Sequence, residues 1–259
     1  MSSLQIEVRD RVGWLTFNRP HNGNAIDQDL VVALDRALDW AQEAHNRIRC
    51  LVLTGAGKHF CSGVDLRSMQ ALRTGTREDA ETMARGFLDH TVERMLNLRI
   101  PIVAAVNGAA AGTGMTLALT ADVIVMSENA FFLPSFARLG LVPDNGITWL
   151  LPERIGASRA RAVLMLGDRI EARTAGDWGL AYRVVAPEAL AAAAGECASR
   201  LAAGPPNVLG ATRMLLNRCD ARVARGQIHA ERQAHTDALA GREHVEGLAA
   251  FFERREPRF

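Results

Sequence analysis

Three short runs constrain this chain more than anything else in it: Cys50–Thr54 (CLVLT), Pro101–Val106 (PIVAAV) and Ala121–Met126 (ADVIVM). Each is dominated by apolar residues, shows no polar alternation and is too short for a buried helix. Each therefore reads as a strand of a parallel sheet covered on both faces. Parallel neighbours need crossovers of a dozen or more residues, usually helical. The intervening stretches supply them. From Asp27 to about His45, the residues Leu30, Val31, Leu34, Leu38 and Ala41 recur at helical spacing, and Asp27 is a suitable N-cap. Thr82–Leu98 and Gly112–Leu119 carry further helical patterns. The chain is thus expected to fold as α/β, with a mostly parallel sheet and helical crossovers.

At the N-terminus, residues 4–8 and 12–17 alternate around Asp10-Arg11 and predict a β-hairpin. Phe131-Phe132 and Val184-Val185 read as brief further strands. After Gly146 helices dominate, over about 146–153, 157–166, 171–178, 187–203 and 206–221, and again through the last 35 residues to Phe252. This divides the chain into a core, residues 1–200, and a C-terminal helical region, 201–259, with Gly204-Pro205-Pro206 as a joint near the boundary. No internal sequence repeat is found. The polar stretch Arg67–Glu81 has weak periodicity and reads as a loop with short helical pieces.

Composition excludes several classes. Across 259 residues, 30 Lys and Arg nearly balance 29 Asp and Glu, so no strong field points to nucleic acid or an anionic membrane. The longest apolar run, Ile100–Ala111, is broken by Pro101, Asn107 and Gly108 and is too short to span a bilayer. The opening MSSLQIEVRD has neither a basic nor an apolar targeting region, so no secretory signal is expected. Cys50, Cys61, Cys197 and Cys219 lie far apart with no CxxC pair, and reduced thiols in a cytoplasmic protein are expected. The seven histidines have no metal-ligand spacing and read as surface or packing residues; no metal is expected.

Two glycine-containing turns follow predicted strands: Lys58-His59-Phe60-Cys61-Ser62-Gly63-Val64-Asp65-Leu66, and Asn107-Gly108-Ala109-Ala110-Ala111-Gly112-Thr113-Gly114-Met115. Both fall where a parallel sheet delivers its backbone to the ligand-binding edge. A helix starting near Gly114 would aim free N–H groups into that region. Neither turn matches the GxGxxG or Walker spacing, and ordinary strand-to-helix connections would look the same.

Taken in order, the chain resembles the crotonase (enoyl-CoA hydratase/isomerase) family along nearly its whole length. The matching pieces are Asn18-Arg19-Pro20 with Asn24-Ala25, the segment Phe60–Leu66, Ala105-Val106-Asn107-Gly108, Gly112-Thr113-Gly114 and Ala121-Asp122. They continue with Gly140-Leu141-Val142-Pro143-Asp144, Trp149-Leu150-Leu151-Pro152 to Gly156, Gly179-Leu180, and the tail Ala249–Arg255. The resemblance implies a spiral core of repeated ββα units, with helices at the C-terminus that form a homotrimer or hexamer, to which Leu248, Phe251 and Phe252 are candidate contributors. It implies an acyl-CoA thioester substrate, with no separate cofactor because coenzyme A is part of that substrate.

By motif position, the resemblance assigns the thioester oxygen to two backbone N–H groups, those of Val64 and Thr113. Thr113 stands where relatives commonly carry glycine or alanine, and its hydroxyl alternatively caps the following helix. Implied substrate-binding positions are Ala25, Lys58, Ser62, Gly63, Asp65, Leu66, Gly112, Gly114, Thr116 and Phe136. Main chain around Lys58–Ser62 would receive the adenine, and Lys58 or nearby arginines the phosphates. Family hydratases carry two glutamates; Thr116 and Phe136 stand at those places, so a two-glutamate hydration is not expected. The remaining carboxylate is Asp144, in a motif like that of phenylacetyl-CoA epoxide isomerases and dienoyl-CoA isomerases. Its competing reading is an N-cap for the helix starting near Gly146. Three functions follow in order: an isomerase with Asp144 as proton shuttle, an enoyl-CoA hydratase using Asp144 and a partner such as Glu78, Glu81 or Asp89, and a catalytically silent acyl-CoA-binding paralogue.

Overall fold

The computed structural model describes residues 2–43, 46–69, 89–218 and 221–259. Its N-terminal hairpin pairs β1 (Leu4–Arg9) with β2 (Val12–Phe17) in antiparallel register. Helix α1 (Gln28–Gln42) follows, and the Asp27 side chain accepts from Leu30 N at 2.9 Å, the expected cap. The apolar runs become β3 (Cys50–Gly55), β5 (Ile102–Val106) and β7 (Val123–Ser127), which pair in parallel, Leu51 beside Ile102 and Val103 beside Val123. With β10 (Arg183–Val185) they form a six-stranded sheet in the order β1-β2-β3-β5-β7-β10.

Period-two geometry sends alternate residues of these strands into two separate cores. Leu51, Leu53, Ile102, Ala104, Val106, Ile124 and Met126 join the larger one, which includes α1. Cys50, Val52, Val103, Ala105 and Val125 face the other way, against Ala194, Cys197, Ala198 and Ala202 of α8 (Leu190–Ala203). Small residues on α8 let the helix lie close on the sheet. The described cysteines Cys50, Cys61 and Cys197 are free and buried; Cys219 lies outside the described residues.

A second sheet was hidden in the sequence. The segments read as glycine turns each begin with a three-residue strand, β4 (His59–Cys61) and β6 (Ala109–Ala111), which pair in parallel and continue through β8 (Phe131–Leu133) to an antiparallel β9 (Ile170–Glu171). Three residues are too few to carry a period. The chain therefore repeats a unit of long strand, short strand and helical turn without any sequence repeat. Three such units are β3 and β4 with α2 (Leu66–Met69), β5 and β6 with α4 (Thr113–Leu119), and β7 and β8 with a 3-10 turn at Ala137–Leu139. Helix α3 (Asp89–Asn97) is the described part of the helix expected over 82–98. Most of the polar stretch 67–81, with Glu78 and Glu81, lies outside the described residues.

The late helices are α5 (Ile147–Ile155), α6 (Ala157–Leu166), α7 (Ala172–Asp177), α9 (Pro206–Arg218), α10 (Ala221–Leu239) and α11 (Arg242–Glu253). Helix α10 packs against α5, and α11 against the 3-10 turn at 137–139. Leu248 is buried within the chain, whereas Phe251 is exposed. Among the described residues no helix is long and apolar enough to cross a membrane.

Candidate active site

The loop carrying Val64 is held by main chain and by one arginine. A strap at residues 18–26 runs beside it: Ser62 N donates to Gly23 O (3.0 Å), Ile26 N to Gly63 O (2.8 Å) and Asp65 N to Ile26 O (2.9 Å). These bonds form a parallel bridge between Ile26 and Val64. Arg19 clamps both segments, donating to Ala25 O and pairing with Asp65 (3.1 Å) and Asp27 (2.9 Å). Asn24 is fully buried; its amide donates to Ala56 O and His59 O, and its oxygen accepts from Arg19 N. This accounts for the Asn-Arg-Pro and Asn-Ala pieces of the sequence: they fasten the loop from behind.

The two loops meet backbone to backbone. Gly63 has φ +92°, and a methyl built on it would stand 2.9 Å from Ala111 O and 3.7 Å from Thr113 N. A methyl on Gly114 would stand 2.3 Å from Cys61 O, and one on Gly108 1.9 Å from Lys58 O. Only glycine permits such approaches. Gly112, at φ +49°, anchors its loop by donating to Leu133 O at 2.9 Å and then accepts from Met115 and Thr116 N as α4 begins. Among the described residues, neither the Val64 amide nor the Thr113 amide has a hydrogen-bond partner. For Thr113 this follows from its place in the first helical turn, where N–H groups have no intrahelical acceptor. No side chain caps α4, so the alternative capping role for Thr113 is not realised. Burial pushes the Cys61 thiol up to about 12, against the opposing pull of a backbone hydrogen bond from Gly63 and the Arg19 charge, which leaves it unreactive.

The other sequence candidates divide by position. Ala25, Gly63, Gly112, Gly114, Thr116 and Phe136 are buried, Asp65 and Leu66 half-buried, and Lys58 and Ser62 exposed. Thr116 sits on α4 with its hydroxyl buried and unpartnered. Phe136 is 5% exposed beside the 3-10 turn.

Asp144 lies in the loop 140–146, just before α5, and α5 packs against α4. Its side chain is 20% exposed, its Oδ1 is buried without a partner, and its Oδ2 stands 3.7 Å from His235 Nε2. It does not cap α5. That task falls to Glu231, whose carboxylate accepts from Gly146 N (2.5 Å), Thr148 N (2.9 Å) and the Thr148 hydroxyl. Burial pushes the Glu231 carboxyl up to about 7, opposed by those hydrogen bonds and reinforced by the Asp144 charge. Next to it, Gln227 donates to the Thr148 hydroxyl.

His235 and His244 were expected at the surface or in packing; both are buried. His235 Nδ1 donates to Val142 O at 2.5 Å, and His244 Nδ1 bonds Leu139 O at 3.0 Å. Desolvation holds the His244 imidazolium form down, with the His235 charge adding to it. Sequence reasoning missed Glu231, His235 and His244. The available signal was a polar i, i+4 pair, Glu231 and His235, on the stripe of α10 that also carries the buried Ile228 and Leu239. Among the described residues no group of three or more His, Cys, Asp or Glu side chains is disposed to hold a metal ion.

Comparison with known proteins places this geometry. The family model described as enoyl-CoA hydratase/isomerase matches residues 7–259. The chain is 36% identical to the 1,2-epoxyphenylacetyl-CoA isomerase of Escherichia coli, with 100% of this chain and 98% of that protein covered. It is 32% identical to a probable enoyl-CoA hydratase of Rhodobacter capsulatus, over 99% of this chain and 97% of that one. Among solved structures, an enoyl-CoA hydratase/isomerase from Pseudoalteromonas atlantica superposes with a TM-score of 0.89 at 32% identity, covering 99% of both chains. An enoyl-CoA hydratase from Mycobacterium avium gives 0.87 at 28% identity, covering 100% and 99%.

Proposed function

The chain belongs to the enoyl-CoA hydratase/isomerase family, and on that premise we propose that it is an acyl-CoA isomerase. In this reading the Val64 and Thr113 amides receive the thioester oxygen, and Asp144 moves a proton between carbons of the acyl group. Loss of the α-proton places charge on the thioester oxygen. Two preorganised donors stabilise that charge with no rearrangement of solvent. A single carboxylate suffices for isomerisation, because the proton it removes at one carbon is the proton it returns at another. Addition of water asks for a second acid–base group, and Thr116 and Phe136 stand at the places where the family resemblance puts hydratase glutamates. The likeness to the E. coli isomerase supports the same choice.

The observation that carries the reading is Asp144 itself: a largely buried carboxylate with one unpartnered oxygen, relieved of helix capping by Glu231. Asp144→Asn is expected to lower isomerase turnover by about 10²–10⁴-fold while acyl-CoA binding stays near the wild-type value. Wild-type turnover in that variant would reject the shuttle. Incubating the protein with enoyl-CoA esters in deuterated water should shift the double bond while little deuterium enters the product, because the abstracted proton is the one returned. Binding with no exchange and no turnover would instead support a silent acyl-CoA-binding protein. We further propose assembly as a trimer or hexamer, for which exposed apolar residues such as Leu215, Leu216 and Phe251 supply contact surface.

A further inference from the structure

We propose that His235, delivered from α10, is the positioning residue of Asp144: its Nε2 proton holds the carboxylate in place. The inference rests on the shuttle role given to Asp144 above. Three observations lead to it. A carbonyl oxygen only accepts, so the bond to Val142 O puts a proton on Nδ1 and fixes the plane of the ring. Nε2 is then the nitrogen left to gain or lose a proton, and it faces Asp144 Oδ2 at 3.7 Å. Among the described residues, no hydrogen-bond donor reaches either oxygen of Asp144, and His235 is the one basic side chain within ion-pair distance.

With Nε2 protonated, imidazolium and carboxylate attract, and the ring steers Asp144 within its loop. Without that proton a lone pair faces the carboxylate oxygen, and nothing holds it. The catalytic cycle balances in the protonated state. Asp144 takes the substrate proton to become a carboxylic acid beside the imidazolium, while the thioester oxygen takes the negative charge. The same proton then returns to the second carbon, which restores the carboxylate–imidazolium pair. His235 exchanges nothing with substrate and acts only through Asp144. Among the described residues, two other titratable groups act on this pair: Glu231, one turn back on α10, and His244 on α11. Glu231 is committed to Gly146 N and Thr148, and His244 Nδ1 to Leu139 O.

The test separates orientation from support. His235→Asn retains a donor at the Nδ1 position for Val142 O and lacks Nε2. It is expected to lower kcat about 10- to 100-fold with KM for the acyl-CoA within about twofold of wild type. His235→Gln places an uncharged amide donor near Nε2; it should recover most of kcat and abolish the alkaline limb of the kcat–pH profile. That limb should survive in Glu231→Gln and in His244→Gln, which excludes those groups as its source. In a readout that needs no His235 variant, the 15N resonance of His235 Nε2 should move on Asp144→Asn while Nδ1 stays unchanged. Wild-type kcat and pH profile in His235→Asn, or an Nε2 resonance indifferent to Asp144→Asn, would overturn the inference. An inactive Asp144→Asn beside a fully active His235→Asn would sink the His235 role alone. An active Asp144→Asn would sink the shuttle itself.

Discussion

Gly63 shows how much rests on a missing side chain. At φ +92° any L residue is strained, by about 1–3 kcal/mol, and a methyl there would meet Ala111 O at 2.9 Å. Gly63→Ala is expected to lower unfolding free energy by about that amount in urea titrations and to cut turnover, because the Val64 amide moves with it. Glu231 gives a pH-dependent counterpart. A carboxyl raised from 4.5 to about 7 in the folded chain binds its proton more tightly folded than unfolded. Stability from this group is therefore fully present below about pH 4.5 and lost as pH rises to 7, by on the order of 3 kcal/mol. Glu231→Gln should flatten that part of the stability profile between pH 5 and 8. The family resemblance pointed to Val64, Thr113 and Asp144 because the motifs that carry it have fixed local spacing. The sequence concealed Glu231 and His235, which reach the site from 85 and 93 positions away along the chain.

The long parallel strands announced themselves as unbroken apolar runs and the helices by period, α6 to the residue and α1 to within about one turn. The short strands β4 and β6 did not, since three residues between glycines look like any turn. What makes them strands is their mutual pairing under the main sheet, a long-range effect. The strap at 18–26 is the element whose integrity the Val64 loop depends on. Arg19 is its only charged rivet to Asp65 among the described residues, and its side chain is mostly buried. Arg19→Ala is expected to cost about 2 kcal/mol in chemical denaturation and to raise KM for acyl-CoA, by removing the guanidinium that ties Asp65, Asp27 and Ala25 O together.

Taken whole, the chain is a spiral of ββα units closed at its later end by helices that reach back to the first-built half. Arg213 is the staple. Almost fully buried on α9, it pairs with Asp122 at 2.8 Å and donates to the carbonyls of Leu96, Leu98 and Thr120. Arg213→Met should destabilise the protein by about 3–5 kcal/mol in equilibrium unfolding, since Asp122 loses its ion-pair partner and three buried carbonyls each lose a donor at once. Sedimentation velocity is expected to give a trimer or hexamer; a monomer at micromolar concentration would contradict the proposed assembly. The main-chain contact between the two glycine-bearing loops has a consequence for how such a molecule changes over generations. A side chain at any of its glycines would push the peptide groups apart, so the junction tolerates little change, and with it the proposed pair of amide donors. Asp144, the proposed proton carrier, and His235 beside it hang on a separate loop and a late helix, where substitution could alter the chemistry without rebuilding that junction.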